Sequence, residues 1–542
     1  FGYRGLDGVE RRTRLMFSMQ PSSIDERCCS FDLVLNGRED VVLYVDIGPA
    51  ALAPTRAQFR SAGAAARRSM RTRQRSGARV RTSARQFQAW LDRSAADLAL
   101  LTTALPTGPY PYAGIPWFST PFGRDAIITA LQTLWLKPSL ARGVLAYLAS
   151  HQARETSAFH DAEPGKIMHE LRKGEMTAVG ELPFGRYYGG VDTTPLFVVL
   201  AAAYARRIAD RSFIVELWPA LVAATAWIQG NASRHDGLLS YARAQASGLA
   251  NQGWKDSHDA IFHEDGRTPE GPIALVEVQG YAVAALQGMA LLAKWLGHDA
   301  AAYEDAAEAW RVRVEARFWQ EDMQFYALAL DGVGAPCRVY ASNPGHLLYM
   351  GLPGAERGRV VARQLLAAGL ESGWGLRTLS CKAIRYNPMS YHNGSVWPHD
   401  VALCAAGMAR YGERDSTARL TSEMFECASR VGMRLPELFC GFDRVTGEAP
   451  VSYPVACLPQ AWAAGSAFML LQGCLGIDID AMRGCIVVEQ PVLPAEIDAL
   501  MLRDLRLPQG TIDLSLYRRG GNVQATVSRQ SGADHLQIDL RL

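Results

Sequence analysis

Two carboxylates set in aromatic loops are the groups best suited to act as a pair. Asp256 lies in Ala250-Asn251-Gln252-Gly253-Trp254-Lys255-Asp256-Ser257, two residues from an indole whose flat apolar face suits a sugar ring. Glu437 lies in Leu435-Pro436-Glu437-Leu438-Phe439-Cys440-Gly441. Cleaving a glycosidic bond takes two such groups, one to protonate the leaving oxygen and one to activate the partner across the sugar ring. Loops carrying residues of this kind on a helical scaffold are where function concentrates.

Three further loops share this character. Gly114-Ile115-Pro116-Trp117-Phe118-Ser119-Thr120-Pro121-Phe122-Gly123-Arg124-Asp125 is stiffened by prolines and ends on a charged pair that could hold sugar hydroxyls. Asp125 could equally serve only to favour a helix N-terminus. Glu181 to Pro195 holds Tyr187, Tyr188, Gly189, Gly190 and Asp192, a sugar platform in which Asp192 could also be an N-cap. The third runs from Trp374-Gly375-Leu376-Arg377 to Tyr391-His392-Asn393-Gly394-Ser395-Val396-Trp397-Pro398 and is dense in stacking and polar groups. Glu277 is a further candidate subsite carboxyl. No GxGxxG after a strand, P-loop, HExxH or GxSxG is present, so no cofactor is expected. His258 and His263 beside Asp256 and Asp259 match no common ligand spacing, so no metal is expected either.

Helices must position these loops. Helical periodicity predicts twelve, near 86–104, 123–135, 137–153, 194–209, 211–230, 277–296, 299–319, 343–352, 355–369, 396–412, 414–431 and 458–475. Short links alternate with long aromatic ones, which suggests helical hairpins closed into a ring with the elaborate loops at one end. Residues 1–54 read as the end of an antiparallel β domain, with a hairpin of Phe31–Leu35 and Val41–Val45 about Asn36-Gly37. Residues 55–85 are arginine-rich without an acidic residue and read as a solvated linker or helix, a polyanion patch being the rival reading. The helical domain spans 86–476, and 477–542 turns strand-like again.

With 542 residues, 49% hydrophobic, the chain can bury a large core. A net charge of +2 gives no whole-molecule argument for nucleic acid or membrane. No uninterrupted apolar run of about 18 residues suggests a membrane span. Ten cysteines without a CxxC pair fit reduced thiols in a cytoplasmic protein. The oligomeric state is not encoded in any pattern we can read.

Taken together, Pro116-Trp117-Phe118 with Phe122-Gly123-Arg124-Asp125, Asn251 to Ser257, Trp374-Gly375-Leu376-Arg377-Thr378, Tyr391 to Pro398 and Leu435-Pro436-Glu437-Leu438 resemble the amylo-α-1,6-glucosidase part of glycogen debranching enzymes and their bacterial relatives. The resemblance implies a mainly α fold, an (α/α)6 barrel with a partial N-terminal β domain and a small C-terminal sheet. It implies inverting hydrolysis of an α-1,6-branched glucan, with Asp256 as general acid and Glu437 as general base. Trp117, Phe122, Arg124, Asp125, Tyr188, Asp192, Trp254, Lys255, Glu277, Trp374, Arg377, His392, Asn393 and Trp397 would line the sugar site. Asp256 would need a raised pKa, which Lys255 would oppose if it pointed inward. The acid and base could be exchanged, or one displaced by Asp125 or Glu277. The alternatives are a hydrolase of a small α-glucoside or α-mannoside, such as a glucosylglycerate-like solute, and an inactive carbohydrate-binding protein.

Overall fold

A computed structural model describes residues 1–532 and 536–542. Its contacts divide the chain into two compact units, Phe1–Arg75 with Lys173–Gly185, and Ser76–Arg172 with Arg186–Leu542.

Among the described residues, the second unit contains twelve long helices. They are α1 (Arg85–Leu101), α2 (Gly123–Thr133), α3 (Pro138–Ser150), α4 (Thr193–Ile208), α5 (Arg211–Arg234), α6 (Val276–Leu296), α7 (Ala301–Arg317), α8 (Asn343–Met350), α9 (Ala355–Ala367), α10 (Pro398–Arg410), α11 (Arg414–Arg430) and α12 (Ala461–Leu475). The even-numbered helices touch in a closed cycle, α2–α4–α6–α8–α10–α12 and back to α2. The odd-numbered helices pack outside them, α3 on α2 and α4, α5 on α4 and α6, α7 on α6, α9 on α8 and α10, and α1 with α11 on α12. This double layer fits an α/α barrel.

Sequence separates the layers. Every residue of α2 is buried, and α12 is buried at thirteen positions along Ala461–Leu475. An outer helix such as α9 buries only Gly358, Val361, Ala362 and Leu365, the i, i+3, i+4, i+7 stripe of an amphipathic helix. Small residues let inner helices approach closely. A Cβ on Gly407 would stand 2.6 Å from the Tyr349 backbone nitrogen and 2.8 Å from the Gly345 carbonyl, so α8 and α10 meet backbone to backbone. By length and composition alone Arg211–Arg234 and Val276–Leu296 are long and apolar enough to cross a bilayer, a property that packed core helices share. The scattered Glu216, Pro219, Glu277 and Lys294 had broken their apolar runs, and both helices belong to the double layer.

The predicted helices fall within a few residues of those observed. The first was expected to reach 104 but ends at Leu101, where Thr102–Leu105 turns into a hairpin strand with Gly108–Pro111. Two β expectations need correction. Arg79–Thr82, within the stretch read as linker, is the edge strand of a four-stranded antiparallel sheet with Ala499–Leu507, Gly510–Arg519 and Asn522–Gly532. Val80 points inward between exposed Arg79 and Arg81, an alternation too short to show through the arginine run. Ile477–Asp480, Cys485–Glu489 and Gln537–Arg541 form a second sheet.

In the first unit the predicted 31–35/41–45 hairpin does not form. The Glu39 N–H closes a turn on the Asn36 carbonyl, and Val45–Gly48 pairs with Arg14–Phe17 instead. Leu33, Val34 and Leu35 are exposed; their alternation finds no layer to cover one face. Arg56–Arg75 is a helix with no buried residue, which agrees with the solvated reading.

Candidate active site

The inner helices bring their first residues to one end of the barrel. Arg124 and Asp125 open α2, Asp192 is the N-cap of α4, Glu277 lies in the first turn of α6, Trp397 is the N-cap of α10 with Asp400 in its first turn, and Gln460 is the N-cap of α12. Four buried carboxylates at helix N-termini follow from the macrodipole, whose positive end stabilises anions. The α5–α6 loop delivers Trp254, Lys255 and Asp256, and the α11–α12 loop delivers Glu437.

Arg124 holds the first carboxylate group together. Its Nη1 lies 3.1 Å from Asp192 Oδ2 and its Nη2 3.3 Å from Asp256 Oδ2. Burial opposes the guanidinium charge, but Asp192, Asp256 and Asp125 outweigh it and raise its pKa. Asp256 keeps 31% of its side-chain surface open. Burial among protein atoms nevertheless raises its pKa, against Arg124, which lowers it, and with Asp192, which raises it. Asp125 is pushed up to about 7, first by burial and then by Glu437 and Asp256, with Arg124 opposing. Gln460 Nε2 reaches Asp125 Oδ1 at 3.5 Å.

Glu437 is held at both oxygens. The Tyr391 hydroxyl donates to Oε1 at 2.6 Å and the Cys457 N–H to Oε2 at 2.9 Å. Burial raises its pKa, those two donors lower it, and Asp256 raises it again. Asp256 and Glu437 therefore share one electrostatic environment, with Asp125 between their influences.

Lys255 does not face Asp256. Its ammonium donates to the Thr378 carbonyl at 2.6 Å and stands 5.0 Å from the Trp254 ring centroid, and burial lowers its pKa to about 8. Its charge is therefore spent away from the Asp256 carboxyl and does not oppose its protonation. Glu277 is 1% exposed; both its oxygens, and both polar atoms of Asn343, have no hydrogen-bond partner among the described residues.

Several residues expected at the sugar site also make contacts within the protein. Trp254 is 3% exposed: His346 lies parallel to it and His392, Trp397 and His399 meet it edge-on, so no face is left bare. Arg377 is 1% exposed and clamps the carbonyls of Gly441 and Glu371 at 2.6 and 2.7 Å, with Asp443 at 2.5 Å. Trp374 packs under the Arg444 guanidinium, and Asn393 donates to the Asp259 carbonyl. Tyr188 is buried and donates to the His151 carbonyl, and Phe122 packs against Phe118 and His169. The loop composition was right for these residues, but a short motif does not say which side chains turn inward. Trp117, 62% exposed, is the aromatic left free.

Sequence reasoning passed over Tyr391, although it stands in a loop it singled out, and Gln460, which it placed at the start of the last helix. Their signal was a hydrogen-bonding side chain beside a stacking one. His258 and His263 do not converge: His263 pairs with Asp331 at 3.2 Å while His258 is exposed. His346, Asp400 and Cys404 lie within 4.8 Å of one another. His346 is engaged at both nitrogens, by Tyr281 at 2.5 Å and Asp400 at 2.7 Å.

Residues 122–440, more than half of the chain and including both Asp256 and Glu437, match the family model of the mannosylglycerate hydrolase MGH1-like glycoside hydrolase domain. No curated protein matches in sequence. Among solved structures, the GH63 mannosylglycerate hydrolase of Thermus thermophilus superposes with a TM-score of 0.55 at 16% identity, over 70% of this chain and 99% of that one. A GH78 rhamnosidase of Bacillus sp. GL1 superposes with a TM-score of 0.59 at 15% identity over 86% of this chain. A sialidase gives 0.61 at 15% identity over 85%. The chain spans only 43% and 41% of the lengths of these last two. At such identities the structures speak for the fold.

Proposed function

The chain belongs to the mannosylglycerate hydrolase MGH1-like glycoside hydrolase family, and from that premise we propose that it hydrolyses a small α-glycoside with inversion, using Asp256 as general acid and Glu437 as general base. The observation that carries this reading is the family match, which spans both carboxyls. Glu437, Trp254, Trp397 and His392 are each 3% exposed or less, whereas the Asp256 carboxyl keeps an open face. The saccharide is the partner we propose.

In this mechanism the Asp256 carboxyl gives its proton to the glycosidic oxygen as the C1–O bond breaks. A water on the opposite face of the ring attacks C1, and the Glu437 carboxylate takes its proton. The raised pKa of Asp256 favours the protonated form that the first role needs. Burial raises the pKa of Glu437 as well, and the donors from Tyr391 and Cys457 offset part of that rise in favour of the ionised form that the second role needs. Arg124 with Asp125 and Asp192 can grip sugar hydroxyls by charge-assisted hydrogen bonds.

The motif set shared with debranching enzymes supports a second reading, release of glucose from α-1,6 branches. Sugar release from mannosylglycerate, glucosylglycerate, isomaltose, trehalose and a branched limit dextrin distinguishes the two. Wild type is run beside Asp256→Asn and Glu437→Gln, with the product anomer read by NMR. Turnover of a small glycoside to the β-sugar, lost in both variants, is the expected result. Turnover of the dextrin alone transfers the chain to the second reading. An α-product overturns inversion, and binding without turnover leaves a carbohydrate-binding protein.

A further inference from the structure

Tyr391 and His392 are consecutive, yet each is bonded to a different one of the two loops that carry the carboxyl pair. The Tyr391 hydroxyl donates to Glu437 Oε1 at 2.6 Å. His392 Nδ1 faces the backbone N–H of Ser257 at 3.3 Å and the Ser257 hydroxyl at 2.7 Å, one residue from Asp256. An N–H aimed at Nδ1 makes that nitrogen an acceptor, so the Ser257 hydroxyl also donates to it. The imidazole is suited to accept because burial, followed by Lys255 and Arg124, holds it neutral.

The dipeptide is itself fixed. The Tyr391 carbonyl accepts from Ser395 Oγ at 2.6 Å and from Trp397 Nε1 at 2.9 Å. The His392 ring stacks on Trp397 at 5.1 Å and 14°, and Trp397 is the N-cap of α10. Both loops are therefore referenced to one point on an inner helix.

We propose that the Tyr391–His392 dipeptide is a positioning element that sets the reach between the proton donor and the base. The inference rests on reading Asp256 and Glu437 as that pair. Inverting hydrolysis needs the two carboxyls about 6.5–9.5 Å apart, with room for one water. Two loops drawn from different hairpins have no local reason to keep such a separation, and a two-residue strap between them supplies one. Tyr391 also selects which lone pair of Glu437 remains for water, because Oε1 and Oε2 each already accept a donor.

The test uses the full chain with Tyr391→Phe, Ser257→Ala and the double variant. Each is followed as kcat, KM and the pH profile of kcat/KM on whichever glycoside wild type turns over. Tyr391→Phe removes a donor that favours the Glu437 carboxylate, so the acid limb moves to higher pH. Ser257→Ala leaves that limb in place. Each lowers kcat by roughly 10²-fold, the scale of a ~1 Å misplacement, with KM little changed. The double variant loses less than the product of the two, because either cut already frees the spacing. An unchanged acid limb and kcat in Tyr391→Phe, or strictly multiplicative losses, overturns the strap. Should Glu437→Gln keep wild-type activity, the acid–base reading itself falls, a different result from the failure of the strap. Ser257→Ala removes a single hydroxyl and keeps the test open if Tyr391→Phe folds poorly.

Discussion

Arg124 Nη2 stands 3.3 Å from Oδ2 of Asp256, so the group read as proton donor touches a cation that resists its protonation. Burial and Asp192 pull the other way, and the net shift is upward. The acid is therefore tuned by opposing influences.

Replacing Arg124 separates those influences. Arg124→Gln takes away the contribution that lowers the Asp256 pKa, so the alkaline limb of kcat/KM is expected to move to higher pH. Asp192, 1% exposed, loses its counter-charge, and stripping one partner from a buried pair costs about 3–5 kcal/mol. A pH–rate profile and urea unfolding check the two effects, and an alkaline limb that stays put or moves down contradicts the account.

Asp125 gives the opposite pH signature to a salt-bridged carboxylate. Its folded pKa of about 7 lies above the unfolded value of 3.8. Between these pH values the folded state binds more protons than the unfolded one, so its contribution is fully present below the lower value and is lost as pH rises toward 7. The Asp125→Asn variant lacks this titration. Relative to wild type it is expected to gain stability on going from pH 4 to pH 7, by a few kcal/mol at most at about 1.4 kcal/mol per pKa unit. Thermal unfolding of both proteins across that range decides it; parallel curves would mean that Asp125 is ionised throughout.

How far the sequence could be read varies along the chain in a physical way. α9 and α11 were legible because an apolar stripe at helical spacing is a local property. Asp256 and Glu437 stood out because loops rich in aromatic residues carry them, a property of local composition. For Arg377 and Trp254 the sequence could not choose, because both a sugar contact and a buried clamp call for the same residue types. Only the third dimension shows that the Arg377 guanidinium is spent on the Gly441 and Glu371 carbonyls. The Phe31–Leu35 strand failed for a related reason: alternation promises a strand only when something covers one face.

Arg377 offers a direct choice between the two roles. Arg377→Met is expected to destabilise the protein by about 1–3 kcal/mol for each carbonyl left without a donor. Its ion pair with Asp443 adds little, because Asp443 is 83% exposed. KM for the small glycoside should stay within about twofold in the folded fraction, a difference worth ~0.4 kcal/mol. A large rise in KM with stability unchanged would return Arg377 to the sugar site.

Trp117 bears on the choice of substrate. It is the free aromatic of the α1–α2 connection. Its backbone N–H acts on the Cys457 thiol, and the Cys457 N–H holds Glu437, so the Trp117 backbone is linked to the site through Cys457. A single sugar held at Asp256 and Glu437 need not reach it, whereas a longer chain could stack a distal residue on it. Trp117→Ala is therefore expected to leave KM for mannosylglycerate or glucosylglycerate within about twofold. For a branched dextrin, if that is turned over, KM should rise about tenfold, the equivalent of ~1.4 kcal/mol. Michaelis–Menten analysis on both substrate types reads this out. A tenfold rise on the small glycoside would mean that the recess extends to Trp117, and that the bound sugar reaches the rim.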